Sequence, residues 1–187
     1  QSIEYPYEMN TENATTDFSS SSTPSMRSAY WAYSVENEGW VSVPYKGNTA
    51  LLRSNCISLP AGSVRVEFEY MSSLDFTMSV KTRYFVKKEY VEVGVSDKLP
   101  ASETEFAKAA IVCSIEEAGL VSLALQANTE AQVVVKNIQI KDPYEDIIAE
   151  RITSPKLSAK LVNNQVTVAA RFKNGGKMAQ SHIPVYF

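Results

Sequence analysis

Residues 48–73 read NTALLRSNCISLPAGSVRVEFEYMSS, and the phrase from residue 64 to residue 70 decides the fold class. Val64, Val66, Phe68 and Tyr70 alternate with Arg65, Glu67 and Glu69. A period of two turns one row of side chains toward an apolar interior and the other toward water, which is the signature of a half-buried β-strand. Upstream of it, short strands are expected over 50–53 and 56–59, with Pro60-Ala61-Gly62 as the intervening turn.

The same alternation extends in both directions. The first 25 residues are rich in Ser, Thr and Asn and read as surface coil with a short strand, whereas YWAYSVENEGW (30–40) crowds aromatics around a polar turn and predicts a hairpin. Further strands are expected over 76–80, 83–86, 90–95, 106–114, 119–127 and 132–141, the last two as an antiparallel hairpin about Asn128-Thr129-Glu130. Residues 96–105 read as a surface loop, and 103–110 allows one or two helical turns, but no other stretch carries a sustained 3.6-residue period. Asp142-Pro143 and Thr153-Ser154-Pro155 are breaks. They divide the chain into a β domain over 1–142, a linker over 143–154 and a segment over 155–187 with strands expected over 156–162, 165–172 and 183–187. Three strands in that last segment are too few to bury a sandwich core alone. It is either the opening of a second β domain or a set of strands docked on the first. About ten evenly spaced strands with almost no helix point to a β-sandwich of jelly-roll-like topology.

Composition excludes several function classes. The 187 residues carry 18 basic and 21 acidic side chains, a net charge of −3 with no long run of either sign, which offers nothing to a phosphate backbone. No nucleic acid partner is expected. No apolar stretch reaches the ~20 residues that cross a bilayer, and residues 1–20 lack the pattern of a signal peptide. The chain is then either intracellular or, as its polar start at Gln1 suggests, a mature secreted or cell-surface chain whose leader has been removed. The only histidine is His182, so neither a Ser/His/acid triad nor a Cys/His pair is within reach of a nucleophile, and a structural zinc site lacks ligands. Glu67, Glu69, Glu89 and Glu92 could in principle supply paired carboxylates, but they occupy the polar positions of alternating strands. No enzyme is expected. Cys56 and Cys113 lie 57 positions apart. A bridge between them would contribute about 4 kcal/mol by constraining the unfolded chain, and two free buried thiols in apolar flanks is the other reading.

The aromatic cluster is the strongest binding signal. Planar rings stack against the apolar faces of sugars while polar neighbours receive the hydroxyls. Tyr30, Trp31, Tyr33, Trp40 and Tyr45, near Asn48 and Arg53, supply that mixture and are the candidate ligand-binding residues. Core packing is the competing role for the same rings. Tyr84, Phe85, Lys87, Lys88 and Tyr90 form a second basic-aromatic patch, of a kind that also guards strand edges.

The stretch ALLRSNCISLPAGSVRVEFEY (50–70) and the phrase GLVSLALQANTEAQVVVKNIQIKD (119–142), with Asn137-Ile138 opening its close, resemble the cleaved-adhesin and choice-of-anchor-J domains of bacterial surface proteins. QVTVAARFKNGGKMAQSHIPVYF (165–187) resembles the cell-adhesion-related bacterial Ig-like domain. The resemblance implies an all-β chain: a jelly-roll β-sandwich of concanavalin-like or galactose-binding-like type, followed by strands of a partial Ig-like domain. It also implies a non-catalytic extracellular module that binds a glycan or a host or surface protein, the alternative being a structural spacer without a small-molecule ligand. Many cleaved adhesins hold calcium in an Asp-rich loop near the N-terminus. Here that region, TENATTDFSSSSTPS (11–25), offers only Glu12 and Asp17 as carboxylates. Calcium needs six to eight oxygens, so the remaining metal candidates are Glu8, Asp17 and Asp142 with backbone carbonyls.

Overall fold

The alternation of residues 64–70 is realised inside an eleven-residue strand that pairs on both sides within a sheet. The computed structural model describes residues 5–16, 29–142, 147–154 and 169–174. Within them the strands are β1 (Tyr7–Glu8), β2 (Ala14–Thr16), β3 (Tyr30–Ser34), β4 (Gly39–Val43), β5 (Leu52–Ser54), β6 (Ile57–Leu59), β7 (Gly62–Ser72), β8 (Thr77–Tyr84), β9 (Val91–Val95), β10 (Ser102–Ile115), β11 (Gly119–Asn128), β12 (Val133–Lys141), β13 (Ile147–Ser154) and β14 (Ala169–Asn174). No helix occurs among the described residues, and hence none long and apolar enough to cross a membrane. The chain divides into two units, Gln1–Asp142 and Pro143–Phe187.

The first unit is a jelly-roll sandwich of two six-stranded antiparallel sheets. The first sheet runs β10-β7-β12-β4-β3, with β1 also on β12; the second runs β2-β5-β11-β8-β9, with β6 also on β11. The core lies between them. Val64, Val66, Phe68 and Tyr70 of β7 and Val133, Val135, Ile138 and Ile140 of β12 enter from one side; Leu52, Met78, Val80, Leu123 and Leu125 enter from the other, all at most 2% exposed. Burial of each such side chain is worth roughly 1.5–3 kcal/mol. The Tyr70 hydroxyl is satisfied by donating to the Pro100 carbonyl at 2.9 Å, and its ring meets Phe76 edge-on at 5.2 Å. Burial, with Asp75 adding to it, lifts the Tyr70 hydroxyl above the ordinary tyrosine pKa.

Four expectations are corrected. The apolar phrases at 119–127 and 132–141 are not a hairpin: β11 belongs to the second sheet and β12 to the first. Both strands alternate because both face the same core, and the link between them steps across the ~10 Å that separates packed sheets. Residues 76–86 hold one strand, β8, in place of two, because the Lys81-Thr82 interruption is itself part of the alternation, with Thr82 4% exposed and Lys81 half-buried. The stretch once open to a helical turn is the β-strand β10, which begins at Ser102 inside the expected loop and carries an irregularity between Ser102 and Ala107. Residues 147–154, expected to be linker, form β13 and pair antiparallel with β14 in the second unit. The expected strands over 156–162 and 183–187 lie outside the described residues.

The cysteines do not pair. Cys56 is exposed between β5 and β6 in the second sheet, and Cys113 is buried in β10 of the first. Neither sequence reading had anticipated the exposure of Cys56, whose neighbour Ile57 points inward instead. Burial pushes the Cys113 thiol up to about 12. Cys113 also marks where the sandwich is sealed along one edge: a Cβ on Gly94 of β9 would lie 3.0 Å from its Sγ and 3.0 Å from the Val112 carbonyl oxygen. Only glycine lets β9 approach β10 this closely.

Two outcomes are expected. A thiol reagent at neutral pH modifies one cysteine in the native protein, mapped by peptide mass spectrometry to Cys56, and reaches Cys113 only after denaturation; native labelling of Cys113 would contradict the sealed edge. Gly94→Val overpacks that edge and lowers stability in urea titration by about 1–3 kcal/mol.

Candidate functional site

Once the inward positions of each strand are committed to the core, register dictates what the outward positions bring together. On the second sheet Thr15 pairs with Arg53, Arg53 with Ala124, Ala124 with Lys81 and Lys81 with Glu92. One row therefore crosses five adjacent strands, β2, β5, β11, β8 and β9, a span of about 19 Å at the usual strand spacing. Its centre is covered by the side chains around it: Ala124 is 0% exposed although it points outward, and the flanking Arg53 and Lys81 are half-buried. Above and below lie more small or polar side chains. Ser122 pairs with Arg83, Gln126 with Ser79, and Asn128 with Thr77.

These side chains are tied to one another. The Ser122 hydroxyl donates to the Ser54 carbonyl at 2.8 Å, which leaves its oxygen to accept from the Tyr90 hydroxyl at 3.0 Å. Tyr90 is thus laid across the face from the edge, and the Arg83 guanidinium sits 5.2 Å from its ring centroid, a cation–π arrangement. Gln126 Nε2 donates to Thr49 Oγ1 at 2.6 Å, and Asn128 Nδ2 to Ser79 Oγ at 2.8 Å. The result is a polar platform with small side chains at its centre, cationic groups beside them and, among the described residues, the aromatic ring of Tyr90.

The residues expected to bind ligand are scattered. Trp31 is 2% exposed, and its indole N–H donates to the Ala50 carbonyl at 2.9 Å. It is a core residue with no ring face to offer, which corrects its assignment. Trp40 is 7% exposed and likewise packs inward, with Tyr33 edge-on at 5.3 Å. Tyr33 stays 43% exposed because β3 is an edge strand. The two rings line a cleft of about 90 Å³ with Glu8, Asn10, Glu38 and Lys136. Ligand pockets run to roughly 300 Å³ and more, so the cleft has no room to enclose a sugar ring. Tyr30 pairs with Val43 on the first sheet. Tyr45 and Asn48 close the turn between β4 and β5, with Lys46 Nζ 5.3 Å from the Tyr45 ring centroid. Only Arg53 lies on the platform. The residues missed were Lys81, Arg83, Ser122 and Gln126, all at outward positions of alternating strands.

The carboxylates do not converge. Glu67 forms ion pairs with Arg65, 3.2 Å from its Nε, and with Lys141, 2.8 Å from its Nζ, and Glu69 accepts from Asn137, all on the first sheet. Glu92 lies in the second sheet and Glu89 in the β8–β9 connection. Of the metal candidates, Asp17 lies outside the described residues. Glu8 pairs with Gln139, three positions and about 10 Å from Asp142 along β12. No group of three or more His, Cys, Asp or Glu that could hold a metal ion occurs among the described residues.

No protein-family model and no curated protein matches the chain, so the adhesin resemblance has no family-level support. Solved structures do match. The CBM22-1–GH10 modules of an endo-1,4-β-D-xylanase from Clostridium thermocellum, complexed with xylohexaose, align over 72% of this chain and 27% of that one, with 11% identity and a TM-score of 0.51. This chain thus spans about a quarter of the length of that two-module chain. A family 29 carbohydrate-binding module from Piromyces equi aligns over 73% of this chain and 86% of its own at 8% identity and TM-score 0.48. The C-terminal family 6 module of a laminarinase from Zobellia galactanivorans aligns over 70% and 100% at 16% identity and 0.44. At such identities the likeness is one of fold: the neighbours are jelly-roll carbohydrate-binding modules.

Replacing Trp31 by Ala is expected to cost about 3–5 kcal/mol of stability, as for a buried aromatic. Tyr33→Ala removes only a half-exposed edge contact and costs about 1 kcal/mol. Paired urea titrations measure both, and equal losses would contradict the assignment of Trp31 to the core and Tyr33 to the rim.

Proposed function

We propose that the first unit is a non-catalytic carbohydrate-binding module whose ligand lies along the outer face of the second sheet. The observation that carries this reading is the row Thr15–Arg53–Ala124–Lys81–Glu92, which lays hydrogen-bonding side chains on both sides of Ala124 across five strands. Sugar hydroxyls need such convergent donors and acceptors, and a span of this length suits a chain of sugar units over a single one. The fold of carbohydrate-binding neighbours, one of them solved with xylohexaose, adds support by analogy. Tyr90 supplies an aromatic surface at the edge of the face, with Ser122 and Arg83 holding its position.

The same reading gives the chain a place outside the cell, as a bacterial surface or secreted adhesion module in which the second unit begins an Ig-like domain. The structural-spacer alternative draws its support from the burial of Trp31 and Trp40, the rings that would have made the strongest stacking platform.

A glycan array followed by calorimetry on the best oligosaccharide tests the proposal. Arg53→Ala is expected to weaken binding about tenfold or more, since a charge-assisted hydrogen bond is worth about 1.5–3 kcal/mol, and Tyr90→Ala is expected to weaken it by removing a stacking ring and the contact that orients Arg83, each with circular dichroism unchanged. Tyr33→Ala is expected to leave affinity intact. An array on which nothing binds supports the spacer.

A further inference from the structure

The charge on the platform runs against that of the chain. Overall the protein carries −3. Yet the outward positions of the three inner strands of the second sheet, β5, β11 and β8, hold Arg53, Lys81 and Arg83 and no acid; Glu92 stands on the edge strand β9. Three cations elsewhere are matched by acids. Lys141 and Arg65 share Glu67 on the first sheet, and Lys98 lies 3.5 Å from Asp75.

Lys81 and Arg83 differ from these. Lys81 faces Glu92 across the β8–β9 pair, but no ion pair within 4.0 Å joins them or involves either of the two cations among the described residues. Arg83 Nε is sealed from solvent and has no hydrogen-bond partner. Its guanidinium lies over the Tyr90 ring, which orients it without satisfying Nε. A buried polar donor without a partner costs free energy that a structure recovers only when something binds it. Lys81 and Arg83 are two residues apart on one face, hence about 7 Å apart along β8. That spacing lets one anionic group accept from both, the guanidinium offering its planar fork and the ammonium a point charge.

We infer that the glycan taken by this face is an acidic one, with a carboxylate or sulfate group seated between Lys81 and Arg83. The inference rests on the carbohydrate-binding reading. It names the ligand's charge, which that reading leaves open.

The test is affinity electrophoresis and calorimetry of the whole chain against polygalacturonate, the same polymer fully methyl-esterified, dextran sulfate, and neutral xylan. Binding to polygalacturonate is expected to fall at least tenfold on esterification, at least tenfold in Lys81→Met and Arg83→Met, and steeply as salt rises from about 50 mM to about 500 mM. Preference for polygalacturonate identifies the group as a carboxylate, and preference for dextran sulfate as a sulfate. Lys87→Met serves as a control for diffuse charge attraction; an equal loss there overturns the inference. Neutral xylan bound as tightly as the acidic polymers also overturns it, while leaving the carbohydrate-binding reading in place. Failure to bind any glycan sinks both. Unaltered thermal melting of the variants confirms that losses are local.

Discussion

Phe68 and Tyr70 project from the middle of β7 into the space between the sheets, and the rest of the sandwich is arranged around that fact. β7 pairs with β10 on one side and β12 on the other, so its inward row sets the inward rows of both neighbours by register. Ala109 and Ala107 of β10 fall opposite Phe68 and Tyr70, small residues beside large ones, and Val135 of β12 falls opposite Tyr70. A slip of one residue in any of these pairings would drive Glu67 and Glu69 into the core. The bulge at Asn137, with φ of 51°, is the adjustment that lets β12 keep both Val135 and Ile138 inward along this register.

The same constraint makes the platform. On β11 the inward set Val121, Leu123, Leu125 and Ala127 leaves Leu120, Ser122, Ala124, Gln126 and Asn128 outward. Leu120, at the start of the strand and 44% exposed, is the one large aliphatic side chain among them. The middle and end of the strand carry small and amide side chains that tolerate water or a polar ligand. The face is therefore a consequence of a one-sided core, with its particular chemistry added by the longer side chains of β5, β8 and β9.

The layered β architecture was legible in sequence because period-two alternation reports burial directly. Residues 64–70 and the inward rows of β11 and β12 could be read without coordinates. Pairing could not. Alternation says which way a side chain points within its own sheet and nothing about which strand lies alongside, so β11 and β12 read as one hairpin although they belong to facing sheets. The binding face was hidden for the same reason. Arg53, Lys81 and Ala124 are remote in sequence and become a row only through β5–β11–β8 register. Trp31 and Trp40 misled in the other direction: crowding of aromatics in 30–40 is a signal of a hairpin that packs, and the Trp31 N–H found its acceptor at Ala50 inside the fold.

The internal hydrogen bonds of the platform decide which of its groups can act on a ligand. Ser54, Ser122 and Tyr90 form a chain that ties β5, β11 and the start of β9 together: the Ser54 hydroxyl accepts from the Leu123 N–H at 3.0 Å, Ser122 donates to the Ser54 carbonyl, and Tyr90 bonds Ser122. These hydroxyls already have partners, so they hold the floor rigid and contribute little by direct contact. A ligand must then be held by the side chains that stand beside the floor, with the cost of ordering them reduced because the strands beneath are fixed. Arg83 is the point where the two roles meet: the ring of Tyr90 fixes its plane, while its Nε keeps a hydrogen-bonding capacity that no described residue meets. Preorganisation of the floor and an unmet donor above it are two halves of one design, since an orphaned donor selects a ligand only when it cannot swing away to find water.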